Sequence, residues 1–106
     1  MEITYNKLVR DKIPEIIQGD GKIPRITKIQ GMELIRALIA KLNEEGEEYL
    51  ESLETGEIAD ILEVVHGLID AHGETYENIE LIRLEKKSQR GGFTEGVFLE
   101  TVETPE

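Results

Sequence analysis

Apolar residues recur at helical spacing in three stretches of the chain. Ile35, Leu38, Ile39, Leu42, Tyr49 and Leu53 lie mostly three or four positions apart and predict a long amphipathic helix over residues 32–53. Ile58, Ile61, Leu62, Val65, Leu68 and Ile69 form the stripe of a second helix over 56–71, capped by Thr55 and ended by Gly73. A third helix over 76–89 carries Ile79, Leu81, Ile82 and Leu84, follows Thr75 as its cap and stops at Gly91-Gly92. So short a link between the first two long helices favours an antiparallel pair.

Shorter elements flank these helices. Asp11 can cap a short helix running to Gln18, with Pro14 tolerated in its first turn and Gly19 to Gly21 ending it. Residues 24–29 and 97–102 are short, contain several β-branched side chains and lie near glycines, so they suit two strands that pair with each other, although neither alternates strictly. The expected fold is mainly α: an antiparallel helical bundle with a small β-hairpin appendage from residues near 24–29 and 97–102. At 106 residues, with no repeat and no linker-like stretch, the chain reads as a single domain over 1–106.

Composition narrows the chemistry. The absence of cysteine excludes a disulfide framework, a thiolate metal site and a cysteine nucleophile. Any metal would be held by oxygen or by His66 and His72, and nothing pairs those two at ligand spacing. Glycine-rich phosphate loops and serine triads are missing. The first residues hold no apolar signal-like core, and no run approaches the roughly 18 apolar residues that span a bilayer, so a cytoplasmic, soluble protein without a membrane partner is expected.

A formal charge of −11, from 23 acids and 12 bases, argues against binding a nucleic-acid polymer. Its distribution is more informative. Eight bases fall in residues 1–41, four fall in 83–106, and the thirteen acids between Leu42 and Ile82 have no base among them. Neutralisation of that stretch must come from the chain ends, a partner or cations.

Some of those acids sit on the apolar side of their helices. With Leu42 as zero and ~100° per residue, the first stripe spans roughly −80° to +80°; Glu45 falls near −60°, inside it, and Glu48 near −120°, on its edge. With Ile61 as zero, the second stripe spans about −60° to +100°; Glu57 falls near −40°, inside, and Asp60 near −100°, on the edge. Each helix thus offers two carboxylates three residues apart, and antiparallel packing can bring the pairs face to face. A single such acid usually belongs to a solvated face. Two matched pairs favour a hard divalent cation with oxygen ligands, magnesium best and manganese tolerated, while a protonated carboxylate pair is the other outcome.

The same residues carry a resemblance. Lys41-Leu-Asn-Glu44-Glu45-Gly-Glu-Glu48, followed nine residues later by Glu57-Ile-Ala-Asp60-Ile-Leu, resembles the ExxE…ExxD signature of the all-alpha nucleoside triphosphate pyrophosphohydrolases, the MazG-like superfamily. The opening Tyr5-Asn-Lys-Leu-Val-Arg-Asp-Lys-Ile-Pro-Glu-Ile-Ile17 and the closing Arg90-Gly-Gly-Phe93 and Val97-Phe-Leu-Glu100 resemble its house-cleaning branch, related to phosphoribosyl-ATP pyrophosphohydrolase.

The resemblance implies cleavage of a nucleotide substrate between its alpha and beta phosphates, giving a monophosphate and pyrophosphate. It assigns magnesium to Glu45, Glu48, Glu57 and Asp60, and gives Glu44 an outer or water-orienting role. It also implies a homodimer or homotetramer. Lys7, Arg10, Lys12, Lys86 and Arg90 are the bases available for substrate phosphates, with Arg10, Lys86 and Arg90 favoured; their other reading is surface pairing with the acidic helices. Two alternatives stand beside this one. Phosphoribosyl-ATP pyrophosphohydrolase shares the scaffold, although the Asn6-Lys-Leu-Val-Arg-Asp11 opening counts against it. The non-enzyme alternative is an acidic helical module that binds metal or a basic protein. Tyr5, Tyr49, Tyr76, Phe93 and Phe98 are the only aromatics, and at least one is expected in the core.

Overall fold

A computed structural model describes residues 1–105. The periodic stretches become helices in the order α1 (Ile13–Gly19), α2 (Gly31–Ser52), α3 (Thr55–Ala71) and α4 (Tyr76–Arg90). The chain divides into two units, Met1–Thr75 and Tyr76–Glu106. No described helix is long and apolar enough to cross a membrane.

In the first unit, α2 packs on α3 as a helical hairpin. The reversal is made by Leu53 and Glu54: Leu53 takes a left-handed conformation (φ 56°), and its N–H closes α2 by donating to the Tyr49 carbonyl at 2.7 Å. Glu54 is extended and precedes α3 without a side-chain cap, so Thr55 is the first helical residue rather than the cap. The hairpin is antiparallel, since Leu38 near the start of α2 meets Gly67 near the end of α3. Leu38, Val64 and Ile69 are the buried apolar side chains, with Leu34, Leu42, Tyr49, Ile61 and Leu68 half-buried around them.

The small core leaves apolar surface on the hairpin. Ile39 and Leu50 of α2 and Ile58 and Leu62 of α3 are exposed. Measured from Leu38 and Val64, these lie ~100–160° round their helices in the same rotational sense, and in an antiparallel pair that puts them on one side of the hairpin, the side on which Ile69 is the buried residue. Glu44, Glu48 and Asp60 lie on the other side. The hairpin therefore has an apolar side and an acidic side.

The expected strands do not form. Residues 24–29 and 97–102 have no strand structure, and there is no strand among the described residues. Ile26, Val97, Phe98, Leu99 and Val102 are all exposed. A lone two-stranded ribbon is marginal unless it lays an apolar face on something else, and neither segment alternates so as to offer one. Asp11 is likewise not a cap: Lys12 precedes α1 and makes no side-chain cap bond, while Pro14 does lie in the first turn. No aromatic is fully buried, and Tyr49 is the one that is half-buried.

The second unit is α4 and the segment after it. Arg83 clasps Glu80 one turn earlier through Nε, at 3.1 and 3.0 Å from the two carboxylate oxygens, and through Nη2. Lys87 and Arg90 occupy the last turn, where positive charge suits the helix dipole, and the Gly91 N–H donates to the Lys87 carbonyl at 2.8 Å.

Gly67 leaves room for the Leu38 side chain, because a β-carbon there would stand 2.9 Å from the Leu38 Cδ2 atom. A helical Gly→Ala change ordinarily gains about 1 kcal/mol, whereas overpacking a core typically costs about 1–3 kcal/mol. Gly67→Ala should therefore lower stability in the wild-type background but raise it by about 1 kcal/mol beside Leu38→Ala, as read from urea denaturation of the two single variants and the double variant.

Candidate metal centre

The centre forms where the middle of α2 faces the first turns of α3. Glu45 lies one turn after Lys41 on the line that buries Leu38, and so enters the helix interface, with only 7% of its surface exposed. Glu57 and Asp60, three residues apart on α3, reach the same place and are half-buried. One carboxylate oxygen from each of Glu45, Glu57 and Asp60 lies within 4.8 Å of the other two. Glu45 Oε2 is buried and has no hydrogen-bond partner. Its other oxygen, Oε1, is 3.6 Å from the Lys41 ammonium.

Three bases surround this group. Lys41 Nζ donates to Glu44 Oε2 at 3.3 Å, Lys7 Nζ donates to Glu44 Oε1 at 3.1 Å, and Arg10 Nη2 donates to Asp60 Oδ1 at 2.7 Å. Lys41 was not singled out from the sequence, because it stands one residue before the base-free stretch. Its i,i+3 and i,i+4 relation to Glu44 and Glu45 was the signal that identifies it.

The electrostatics separate the acids. Burial first, then the neighbouring Glu48, push the Glu45 carboxyl above its ordinary value of 4.5. Burial, Glu48 and Asp60 raise Glu57 in the same direction. Glu44 goes the other way, held below the ordinary value chiefly by the Lys7 hydrogen bond, and Lys7 is raised in turn by Glu44. By formal charge, Glu44, Glu45, Glu48, Glu57 and Asp60 outnumber the three bases, Lys7, Arg10 and Lys41, by two.

These residues fit a small divalent cation. On magnesium, opposite oxygens stand about 4.2 Å apart and adjacent ones about 3.0 Å, so three oxygens within 4.8 Å would share one ion after side-chain rotations draw them together. A buried, unpartnered carboxylate oxygen supplies a ligand that has already lost its water.

Of the four metal ligands expected from the sequence, Glu45, Glu57 and Asp60 converge. Glu48 is exposed and lies outside the converging three; it raises Glu45 first through a carboxyl–carboxyl hydrogen bond and then through its charge, and acts on Glu57 as a neighbouring charge. Lys7 and Arg10 lie against the acids through their ion pairs, and Lys12 is exposed beside α1. Lys86 and Arg90 are exposed on α4 in the other unit. Neither histidine belongs to the acidic group.

No protein-family model, curated protein or solved structure matches this chain.

The opposed shifts give a signed stability prediction. Glu45 titrates higher folded than unfolded, so its penalty is absent below about pH 4.5 and grows as pH rises toward the folded value. Glu44 has the opposite sign: its contribution is present at neutral pH and is lost as pH falls through its lowered value. Without divalent ions, Glu45→Gln should raise the melting temperature at pH 7, and the gain should shrink toward pH 4.5. Thermal melts of both proteins from pH 4 to pH 8 in a chelator read this directly; a lower melting temperature for the variant at pH 7 contradicts it.

Proposed function

We propose that this chain is a magnesium-dependent nucleoside triphosphate pyrophosphohydrolase of the MazG-like type, which cleaves noncanonical nucleotides between the alpha and beta phosphates. The observation that carries the reading is the Glu45 carboxylate, buried between two helices with Oε2 unpartnered beside Glu57 and Asp60. The nucleotide class rests on the resemblance of the Glu44 to Asp60 region and of both chain ends to that superfamily.

Glu45, Glu57 and Asp60 hold the magnesium ion, with Glu48 completing the set. The bound ion offsets phosphate charge and acidifies a nearby water, for which manganese serves as well. Glu44 is kept ionised by Lys7 and Lys41, which suits it to accept a hydrogen bond from the attacking water and orient it. Arg10 and Lys7 already stand beside the acids and, with Lys12, are the groups of this unit that grip the polyphosphate, to which the resemblance adds Lys86 and Arg90. Positioning and charge neutralisation of this kind are most of what phosphoryl transfer asks of a protein. A homodimer or homotetramer in the cytoplasm, with helices of another copy covering Ile39, Leu50, Ile58 and Leu62 in a bundle, is part of the same reading.

Product analysis on a panel of standard and damaged triphosphates, with phosphoribosyl-ATP included, tests it. Magnesium should give monophosphate and pyrophosphate from at least one member. Glu57→Gln should lower kcat/KM by about 100-fold or more, since even outer partners of metal ligands are worth about 10–100-fold. If magnesium raises the melting temperature and no pyrophosphate appears, the acidic binding module replaces the enzyme; if phosphoribosyl-ATP alone is cleaved, the histidine-pathway type of activity does. Sedimentation should give more than a monomer for the wild type and a shift toward monomer for Ile39→Glu.

A further inference from the structure

Residues 1–12 form no regular structure, yet they are tied to the acidic side of the hairpin. Arg10 holds Asp60 at 2.7 Å and Lys7 holds Glu44 at 3.1 Å. Leu8 is the only half-buried residue of the stretch, and Asn6, at φ 45°, turns the chain just before it. Both bases are about half exposed, where ion pairs are weak and readily exchanged. One anchor, Asp60, is also one of the two α3 carboxylates that converge with Glu45, whose Oε2 is buried and unpartnered.

We propose that residues 1–12 are a strap whose docking is weakened by cation binding: Arg10 and a divalent cation draw on the same Asp60 carboxylate, so loading the centre loosens Arg10 toward an incoming anion. This rests on the cation-binding reading given above. A guanidinium and a divalent cation repel each other, and an ion on either Asp60 oxygen draws charge away from Oδ1, which weakens its bond to Arg10. The bare centre is thereby kept partly neutral by a built-in counterion, and the loosened Arg10 keeps its charge for a phosphate. The exchange makes strap mobility a reporter of occupancy.

Manganese affinity, read by electron paramagnetic resonance on the full chain, tests the competition. Arg10→Gln should bind manganese about fivefold more tightly than the wild type, and Arg10→Lys should return toward the wild-type affinity. In the wild type, magnesium should speed tryptic cleavage after Lys7 and Arg10 about fivefold, with a short peptide substrate correcting for effects on trypsin itself. Equal manganese binding by wild type and Arg10→Gln, with unchanged cleavage, overturns the strap and leaves the cation site standing. Weaker binding by Arg10→Gln also overturns it, since Arg10 would then be holding the ligands in place. Absence of manganese binding in all three proteins overturns the strap together with the cation reading.

Discussion

One carboxylate constrains the first unit of this protein more than any other group. Glu45 lies where the helical pattern of α2 calls for an apolar side chain, and only one of its oxygens has a partner, a lysine at 3.6 Å. Burial of a half-satisfied carboxylate opposes folding, and the two acids facing it from α3 add to the strain. The surrounding arrangement relieves this from several directions: Lys41 from the preceding turn, Arg10 and Lys7 from the N-terminal segment, and a formal excess of two negative charges open to a cation.

That constraint also organises the two sides of the hairpin. On the acidic side, Lys7 pairs with Glu44 of α2 and Arg10 with Asp60 of α3, so an irregular segment is held against both helices by two ion pairs. On the opposite side, Ile39, Leu50, Ile58 and Leu62 stay in solvent, because a two-helix layer buries one line of each helix and both apolar arcs are wider than that line. Stability drawn from Leu38, Val64 and Ile69 alone is modest, so the gap between α2 and α3 is sensitive to small changes such as a methyl group at Gly67.

Much of this was legible before any coordinates. The three-and-four spacing of apolar residues marked α2, α3 and α4 to within a residue or so at each end, since that spacing reflects helix geometry itself. The angular positions of Glu45 and Glu57 inside their stripes anticipated their burial for the same reason. Less local features were not legible. Residues 24–29 and 97–102 have strand-like composition, but a strand exists only if a partner and a covered face exist, and neither is encoded in six residues.

What the sequence determined by itself was therefore periodic and local: helices, their apolar lines, and two carboxylates, Glu45 and Glu57, inside those lines with Glu48 and Asp60 on the edges. Tertiary structure decided which charges meet. Asp60 and Arg10 are fifty residues apart, and Glu44 and Lys7 thirty-seven, yet each pair is in contact. The register of α3 on α2 drew Glu45, Glu57 and Asp60 together and left Glu48 at the edge. Helix periodicity places a side chain around its own axis, whereas distance to another element depends on how two surfaces slide together, and only packing settles that.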